Sequence, residues 1–408
     1  MSPDPARAEI VVDVAAIRHN VRRLREVVAR SDTSAHENTH FGTPERTARH
    51  ATTHGSALMM TVVKADGYGH GMLPAARAAR AGGADWLGVA TLDEALTLRA
   101  GGDTGPILCW LGVPGEDYAA AVELGIDVTA YSVAELDEIE TAARSLGEVA
   151  RVQIKIDTGL SRGGCAFADW PTLAGAARKA EENGHVRVTG IWSHFACSDD
   201  PQHPANAEQE AVFREALVVA DDAGLTPEVR HLANSAAAIL RPSSRFDLVR
   251  CGIASYGLDP APGQPATAAV GLVPAMTVRA RLAMVKRIPA GASVSYGHTW
   301  TAERGTTVAL VPAGYGEGVP RAAGNRAEVG VGGTRYPIRG VVCMDQFVVD
   351  LGDDVAMAGD EVVLFGTGVD GPTATDWAEA VGTINYEIVT RIGGRFTRRI
   401  VDSEETST

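Results

Sequence analysis

The sequence predicts an α/β protein: a (β/α)8 TIM-type barrel followed by a β-rich C-terminal domain. Three observations predict it. Short apolar runs alternate with amphipathic stretches eight times between residues 58 and 249. The residues just past those runs are nearly all polar. From about residue 265 the period changes to closely spaced strands with hairpin signals. Regular strand–helix alternation makes a parallel sheet covered by crossover helices. A doubly wound open sheet is the runner-up. It usually has fewer strands and a Gly-rich dinucleotide turn, which the first unit lacks.

The elements follow in order. Residues 9–12 read as a strand. Asp13 then caps a helix whose Ile17, Val21, Leu24 and Val28 recur at helical spacing. Residues 31–57 break the pattern, rich in Thr, His, Ser and Arg, and read as a mobile surface insertion. Its two pairs, His36 with His40 and His50 with His54, have metal-ligand spacing. No Cys or carboxylate pattern completes a site, so no metal is expected. The eight apolar runs are 58–63, 86–90, 107–111, 126–130, 152–156, 186–192, 229–232 and 246–249. Helical stretches lie between them at 93–99, 134–146, 172–182 and 208–223. The residues at the run ends are Lys64, Thr91, Ser132, Asp157, His194, Asn234 with Ser235, and Arg250. Barrel active sites sit where strands end, although polar residues also end strands simply as turn formers.

In the second part, 273–285, 307–311, 327–331, 336–344, 347–351 and 361–365 read as strands, with Gly332-Gly333 as a hairpin turn. A helix at 374–381 precedes a last strand at 386–390. The barrel domain is expected at 13–264, and the β-rich domain at 265–408 with strand 9–12 added to it.

Composition narrows the function. The 408 residues carry a formal net charge of −14, which argues against nucleic acid or an anionic membrane as partner. No run of about 18 apolar residues suggests a membrane span, and the first residues do not read as a signal peptide. The five cysteines are scattered without a Cys-x-x-Cys, which fits a reduced, cytoplasmic protein.

The most informative run is Val63-Lys64-Ala65-Asp66-Gly67-Tyr68-Gly69-His70-Gly71. A lysine closes an apolar strand against a tight glycine turn. Held there, it can lose its proton and attack a carbonyl. With a tyrosine nearby this suggests Schiff-base chemistry on pyridoxal phosphate.

This run resembles the cofactor-lysine segment of the alanine racemase family. Segments 155–162, 192–196, 231–236, 250–257, 294–299, 314–318, 343–346 and 385–387 resemble that family in the same order. The resemblance covers nearly the whole chain and looks actinobacterial. It implies interconversion of L- and D-alanine, supplying D-alanine for peptidoglycan, by a homodimer with shared active sites. Racemisation needs acid–base groups on both faces of Cα. The resemblance gives one face to Lys64 and the other to Tyr296, reaching in from a partner subunit. Arg162 and His194 complete the catalytic set. Lys64, Tyr68, His194, Asn234, Ser235, Arg250, Gly252, Ile253 and Tyr386 would hold the cofactor. Arg250 would face its ring nitrogen. Arg162 and the backbone N–H of Met344 would take the substrate carboxylate.

Lys155 matches a lysine that is carbamylated in many members, and Tyr315, Tyr386, Asp199 and Arg321 resemble residues of the access channel. Three positions depart from the family pattern. Gly316 stands where an alanine is usual, Glu317 where an aspartate is usual, and Val341 where an arginine is common, with Arg339 close by. Three alternatives stand beside this reading: a racemase of another small amino acid such as serine, a decarboxylase of similar architecture, and a non-catalytic cofactor-holding protein.

Overall fold

The computed structural model describes residues 7–29 and 56–404. The four insertion histidines, His36, His40, His50 and His54, lie outside the described residues. Strand β1 (Ala8–Asp13) leads directly into helix α1 (Val14–Ala29). The Asp13 carboxylate accepts the Ala15 N–H at 3.0 Å, and Ile17, Val21, Leu24 and Val28 are buried, as their spacing predicts.

Eight parallel strands follow: β2 (Leu58–Val62), β3 (Trp86–Val89), β4 (Ile107–Cys109), β5 (Asp127–Ala130), β6 (Ala150–Lys155), β7 (Val186–Trp192), β8 (Val229–His231) and β9 (Leu248–Cys251). Their spatial order is β8-β7-β6-β5-β4-β3-β2-β9. The seam between β8 and β9 is drawn together by Asp247 N–H to Arg230 O and Arg250 N–H to Ala233 O, each 3.0 Å. The sheet is thus a nearly closed barrel, and each predicted apolar run is one of its strands.

Helices follow seven of the strands: α2 (Met72–Ala81), α3 (Leu92–Ala100), α4 (Tyr118–Glu123), α5 (Val133–Leu146), α6 (Trp170–Glu182), α7 (Ala205–Asp222) and α8 (Ser235–Leu240). After β9 come a short 3₁₀ turn, Ile253–Tyr256, and a four-residue helical turn, Pro265–Ala268. The eighth outer position is filled by α1, which packs against α2, α8 and that 3₁₀ turn.

The polar row at the strand ends divides into two kinds. Thr91, Ser132 and Asn234 accept the N–H three residues on and cap α3, α5 and α8. Asp157 closes its own loop, accepting from Gly159 and Ser161 N–H at 2.9 and 3.1 Å. Lys64, His194, Ser235 and Arg250 face a cavity instead.

The second sheet comprises β10 (Met276–Arg281), β11 (Met284–Ile288), β14 (Thr306–Val311), β15 (Glu328–Val331), β16 (Thr334–Arg339), β17 (Phe347–Gly352), β18 (Glu361–Phe365) and β19 (Thr397–Val401), together with β1. A separate small hairpin joins β12 (Ser293–Val294) to β13 (Trp300–Thr301). β1 pairs antiparallel with β10 and parallel with β19. Gly332 and Gly333, with φ of 58° and 81°, make the predicted turn between β15 and β16.

Three expectations are corrected. The stretch 386–390, expected as a strand, is helix α10 (Asn385–Arg391), which follows α9 (Ala374–Val381). Its β-branched Ile388, Val389 and Thr390 favour strand locally, but Asn385, Ile388 and Val389 bury one helical face. The run 336–344 stops at Arg339, because Gly340 turns the backbone to φ 73°. The run 273–285 divides into β10 and β11.

Candidate active site

The site is organised by an unusual turn. Ala65, Asp66, Gly67, Tyr68 and Gly69 all have positive φ, between 53° and 81°. A left-handed turn costs roughly 1–2 kcal/mol for each non-glycine residue. It persists only where the surroundings over-determine it. Here Glu94, from α3, accepts the Ala65 N–H at 2.7 Å. Asp66 accepts the Met72 N–H at 2.9 Å and pairs with Arg398 of β19 at 2.7 Å. The His70 Nδ1 lies 3.0 and 2.9 Å from the carbonyls of Gly67 and Tyr68. A Cβ on Gly69 would stand 2.4 Å from the Val389 carbonyl, so only glycine allows α10 this close. The second domain therefore grips the turn that carries the lysine.

That turn brings Lys64 and Tyr68 to one cavity of about 360 Å³. Its other walls include Lys155, Arg162, His194, Asn234, Ser235, Arg250, Gly252, Ile253 and Tyr386. Eleven residues expected from the sequence thus meet in one place, Lys64 and Tyr68 among them. Burial, followed by the nearby Arg162, holds the Lys64 ammonium below the ordinary lysine range. The Lys155 amine is pulled further, to about 8, by burial and then by Arg250 and Arg162. It lies 4.5 Å over the Trp192 ring and 5.2 Å over that of Tyr131.

One end of the cavity has the shape and donors for a phosphate. A Cβ on Gly252 would meet Tyr68 Oη at 2.3 Å, so the glycine leaves space for that hydroxyl. The Gly252 N–H donates to Ser235 Oγ at 2.9 Å, at the first residue of α8. Burial raises the Tyr68 and Tyr386 phenols well above their ordinary range, so both remain donors. Backbone N–H groups, a serine and two protonated phenols are the donor set a phosphate requires.

At the other end Arg250 is buried. Its Nη1 donates to His231 Nδ1 at 2.9 Å. Its Nη2 lies 2.7 Å from Ser193 O, 3.1 Å from Leu232 O and 3.0 Å from His194 Nδ1. Burial lowers the guanidinium to about 9, still protonated at neutral pH. A guanidinium has no acceptor, so both imidazoles take its protons on Nδ1. Burial and then Arg250 hold both imidazoles neutral, well below the usual range.

Tyr296 and Met344 do not line this cavity. Tyr296 is 73% exposed in the turn between β12 and β13, and Met344 is 54% exposed. Asp199 and Tyr386 line a neighbouring cavity that shares Arg162 and His194 with the first. Arg339 lies over the Trp300 ring and 3.8 Å from Asp350. Glu317 is buried, accepts the Gly314 N–H at 2.9 Å and pairs with Arg395.

Sequence reasoning missed Trp110, which lies beneath the Lys64 amine at 5.6 Å, and gave no role to Trp192. The signal for Trp110 was present, an aromatic at the end of the third apolar run. That run was read through to residue 111, and the tryptophan was counted as strand body.

Fold and site together define a barrel enzyme built around a lysine of lowered pKa and a phosphate cradle. Residues 45–260 match the family model "Alanine racemase, N-terminal domain", and residues 275–400 match "Alanine racemase, C-terminal domain". The alanine racemase of Salinispora arenicola is 54% identical over 98% of this chain and 99% of its own. The crystal structure of alanine racemase from D-cycloserine-producing Streptomyces lavendulae superposes with a TM-score of 0.89. It is 49% identical and covers 98% of each chain. The alanine racemase of Bartonella henselae, solved with covalently bound pyridoxal phosphate, has a TM-score of 0.81 at 28% identity, covering 97% of this chain and 100% of its own. The chain belongs to the alanine racemase family.

Proposed function

We propose that this protein interconverts L- and D-alanine with pyridoxal phosphate held at Lys64, and that it works as a cytoplasmic homodimer. One observation carries the reading: a half-buried lysine of lowered pKa faces a phosphate cradle and a donor-only arginine in a single cavity. Production of D-alanine from L-alanine by the purified protein with added cofactor tests it. A folded, cofactor-loaded protein that leaves L-alanine unchanged would refute it. The serine and non-catalytic readings are not favoured, since the relatives named above are alanine racemases.

The cofactor, when bound, draws electron density from Cα and so acidifies its proton. The residues of this chain do the rest. Tyr68, Ser235, Tyr386 and the loop at Gly252 and Ile253 hold the phosphate, with Asn234 fixing the start of α8. The Lys64 amine, its pKa lowered by burial and by Arg162, takes or returns a proton on one face of Cα. Arg162, presented by the Asp157 loop, binds the substrate carboxylate. His194, kept neutral by burial and by Arg250, packs against the cofactor ring. Arg250 can only donate, so it leaves the ring nitrogen without a proton and moderates electron withdrawal. Weaker withdrawal disfavours reprotonation away from Cα. Arg250→Glu is expected to raise pyruvate formed per racemisation event by about tenfold or more, following the 1.4 kcal/mol-per-decade scale. Equal pyruvate yields in the two proteins would contradict this role.

The second face of Cα needs another base. Tyr296 is exposed on its hairpin and outside the cavity of its own chain, as is the substrate-binding candidate Met344. Both therefore fit contribution to a partner's site. The five cysteines are all unpaired, which supports a reducing compartment. Among the described residues no helix is long and apolar enough to cross a membrane.

Lys155 is poised for carbamylation. Carbon dioxide adds to the neutral amine, and a pKa of about 8 leaves roughly a tenth of it neutral at pH 7. The product would replace a cation beside Arg162 and Arg250 with an anion. Non-acidified intact mass measurement should show one added carboxyl group, absent in Lys155→Ala. An unmodified mass at saturating bicarbonate would count against it.

A further inference from the structure

We propose that Gln153 and Asp127 are positioning residues for the reaction, acting on Arg250 through a one-way chain of hydrogen bonds across the barrel interior. The proposal rests on the reading of Arg250 as the neighbour of the cofactor's ring nitrogen.

The chain is directional by chemistry. Arg250 can only donate, so its contact with His231 Nδ1 makes that nitrogen the acceptor. The neutral imidazole then carries its proton on Nε2, which lies 2.7 Å from Gln153 Oε1. With its oxygen so engaged, the Gln153 amide donates through Nε2 to Asp127 Oδ2 at 3.0 Å. The chain ends on a carboxylate, which can only accept. Asp127 is held in turn by Arg151 Nε at 2.6 Å and by the Thr189 hydroxyl. Every donor points the same way, from buried cation to buried anion, and such chains strengthen each bond they contain.

The surroundings are fitted to this arrangement. His231, Gln153 and Asp127 are each 0% exposed. The Trp192 ring lies flat on His231, 5.6 Å between centroids and 5° between planes. A Cβ on Gly190 of β7 would come within 2.5 Å of Gln153 Oε1, so a glycine gap in the strand admits the amide. Deprived of Gln153, the His231 Nε2–H is left without this acceptor. The imidazole is then no longer anchored at Nε2 and can turn in its slot, which weakens the bond that Nδ1 accepts from Arg250. The guanidinium is then aimed less firmly. Neither residue stands at the C-terminal end of a strand, where the sequence directs attention; Asp127 opens β5 and Gln153 lies within β6.

The test compares holoenzymes of wild type, Gln153→Met, Asp127→Asn and Arg250→Glu. Three quantities are read: pyruvate formed per racemisation event, the pH dependence of the cofactor's visible absorption, and the His231 ring-nitrogen shifts in ¹⁵N-histidine spectra of the cofactor-free protein. Gln153→Met keeps the side-chain length and removes both bonds. It is expected to raise the pyruvate ratio about tenfold, the scale of one hydrogen bond to a charged group. It should also move the absorption toward that of Arg250→Glu and shift the His231 Nδ1 and Nε2 resonances. Asp127→Asn, milder because it keeps the shape, should shift all three in the same direction and carries the test if Gln153→Met does not fold. A folded variant that loses rate while keeping the wild-type ratio, absorption and ring-nitrogen shifts overturns the proposal and leaves Gln153 a packing residue. If the His231 shifts move in Gln153→Met but Arg250→Glu itself leaves ratio and absorption unchanged, the reading of Arg250 at the cofactor's ring nitrogen is the part that fails.

Discussion

Lys64→Ala is expected to lower conversion of L- to D-alanine by on the order of 10⁴-fold, the upper range for loss of a positioned acid–base group. The variant loses more than a base, because the same amine would anchor the cofactor. Its lowered pKa comes first from burial, and that burial depends on the left-handed turn gripped by Glu94 and Arg398. Alanine at this position leaves the turn and the phosphate cradle in place. Cofactor should therefore still bind, more weakly, through Tyr68, Ser235 and Gly252. Two measurements separate anchoring from fold: borohydride treatment followed by peptide mass analysis, and circular dichroism. Wild type should retain the cofactor on the Lys64 peptide, and the variant should retain none while melting normally. Substantial racemisation by Lys64→Ala would sink the assignment.

Tyr296→Phe should lower racemisation by about 10²- to 10⁴-fold, with a signature that a packing role would not give. With one base on each face, each enantiomer presents its Cα proton to a different residue. Removing the tyrosine should leave one enantiomer still exchanging that proton with deuterated water through Lys64, returning it to the same face. The other enantiomer should neither exchange nor invert. Equal loss of exchange from both enantiomers would argue for a structural tyrosine. Since Tyr296 stands outside the cavity of its own chain, activity should also fall on dilution below the dimer's dissociation constant. Mixing Lys64→Ala with Tyr296→Phe should restore part of it, because one of the two mixed sites then carries both bases.

The barrel was legible in the sequence because a strand buried on both faces must be apolar throughout, and eight such runs recur. The cavity residues were legible for a different reason: they stand at strand ends, and their motifs resemble a known family. What escaped had weaker local signals. Helix α10 is rich in β-branched residues, and only tertiary burial of Ile388 and Val389 decides for helix. Strand β19 carries Arg398 and Arg399 and is mostly exposed, so it shows no alternation to read. That α1 supplies the eighth outer helix follows from where β1 is pinned, which no window of neighbouring residues contains. Gln153 and Asp127 were hidden because a polar residue inside a strand reads as an interruption until its partners on other strands are seen.

The placement of β1 has a consequence for how the enzyme is made. Ile10 pairs with Val278 on one side and Arg398 on the other. A ribosome delivers Ile10 long before Arg398, so β1 must wait for β19 before its register is set on that side. α1, continuous with β1, cannot settle permanently into the barrel wall until then, and Asp66 has no Arg398 to hold its turn. A copy released early would have most of the barrel but neither a fixed lysine nor a sealed wall. Capture of the cofactor at this turn therefore awaits the synthesis of Arg398.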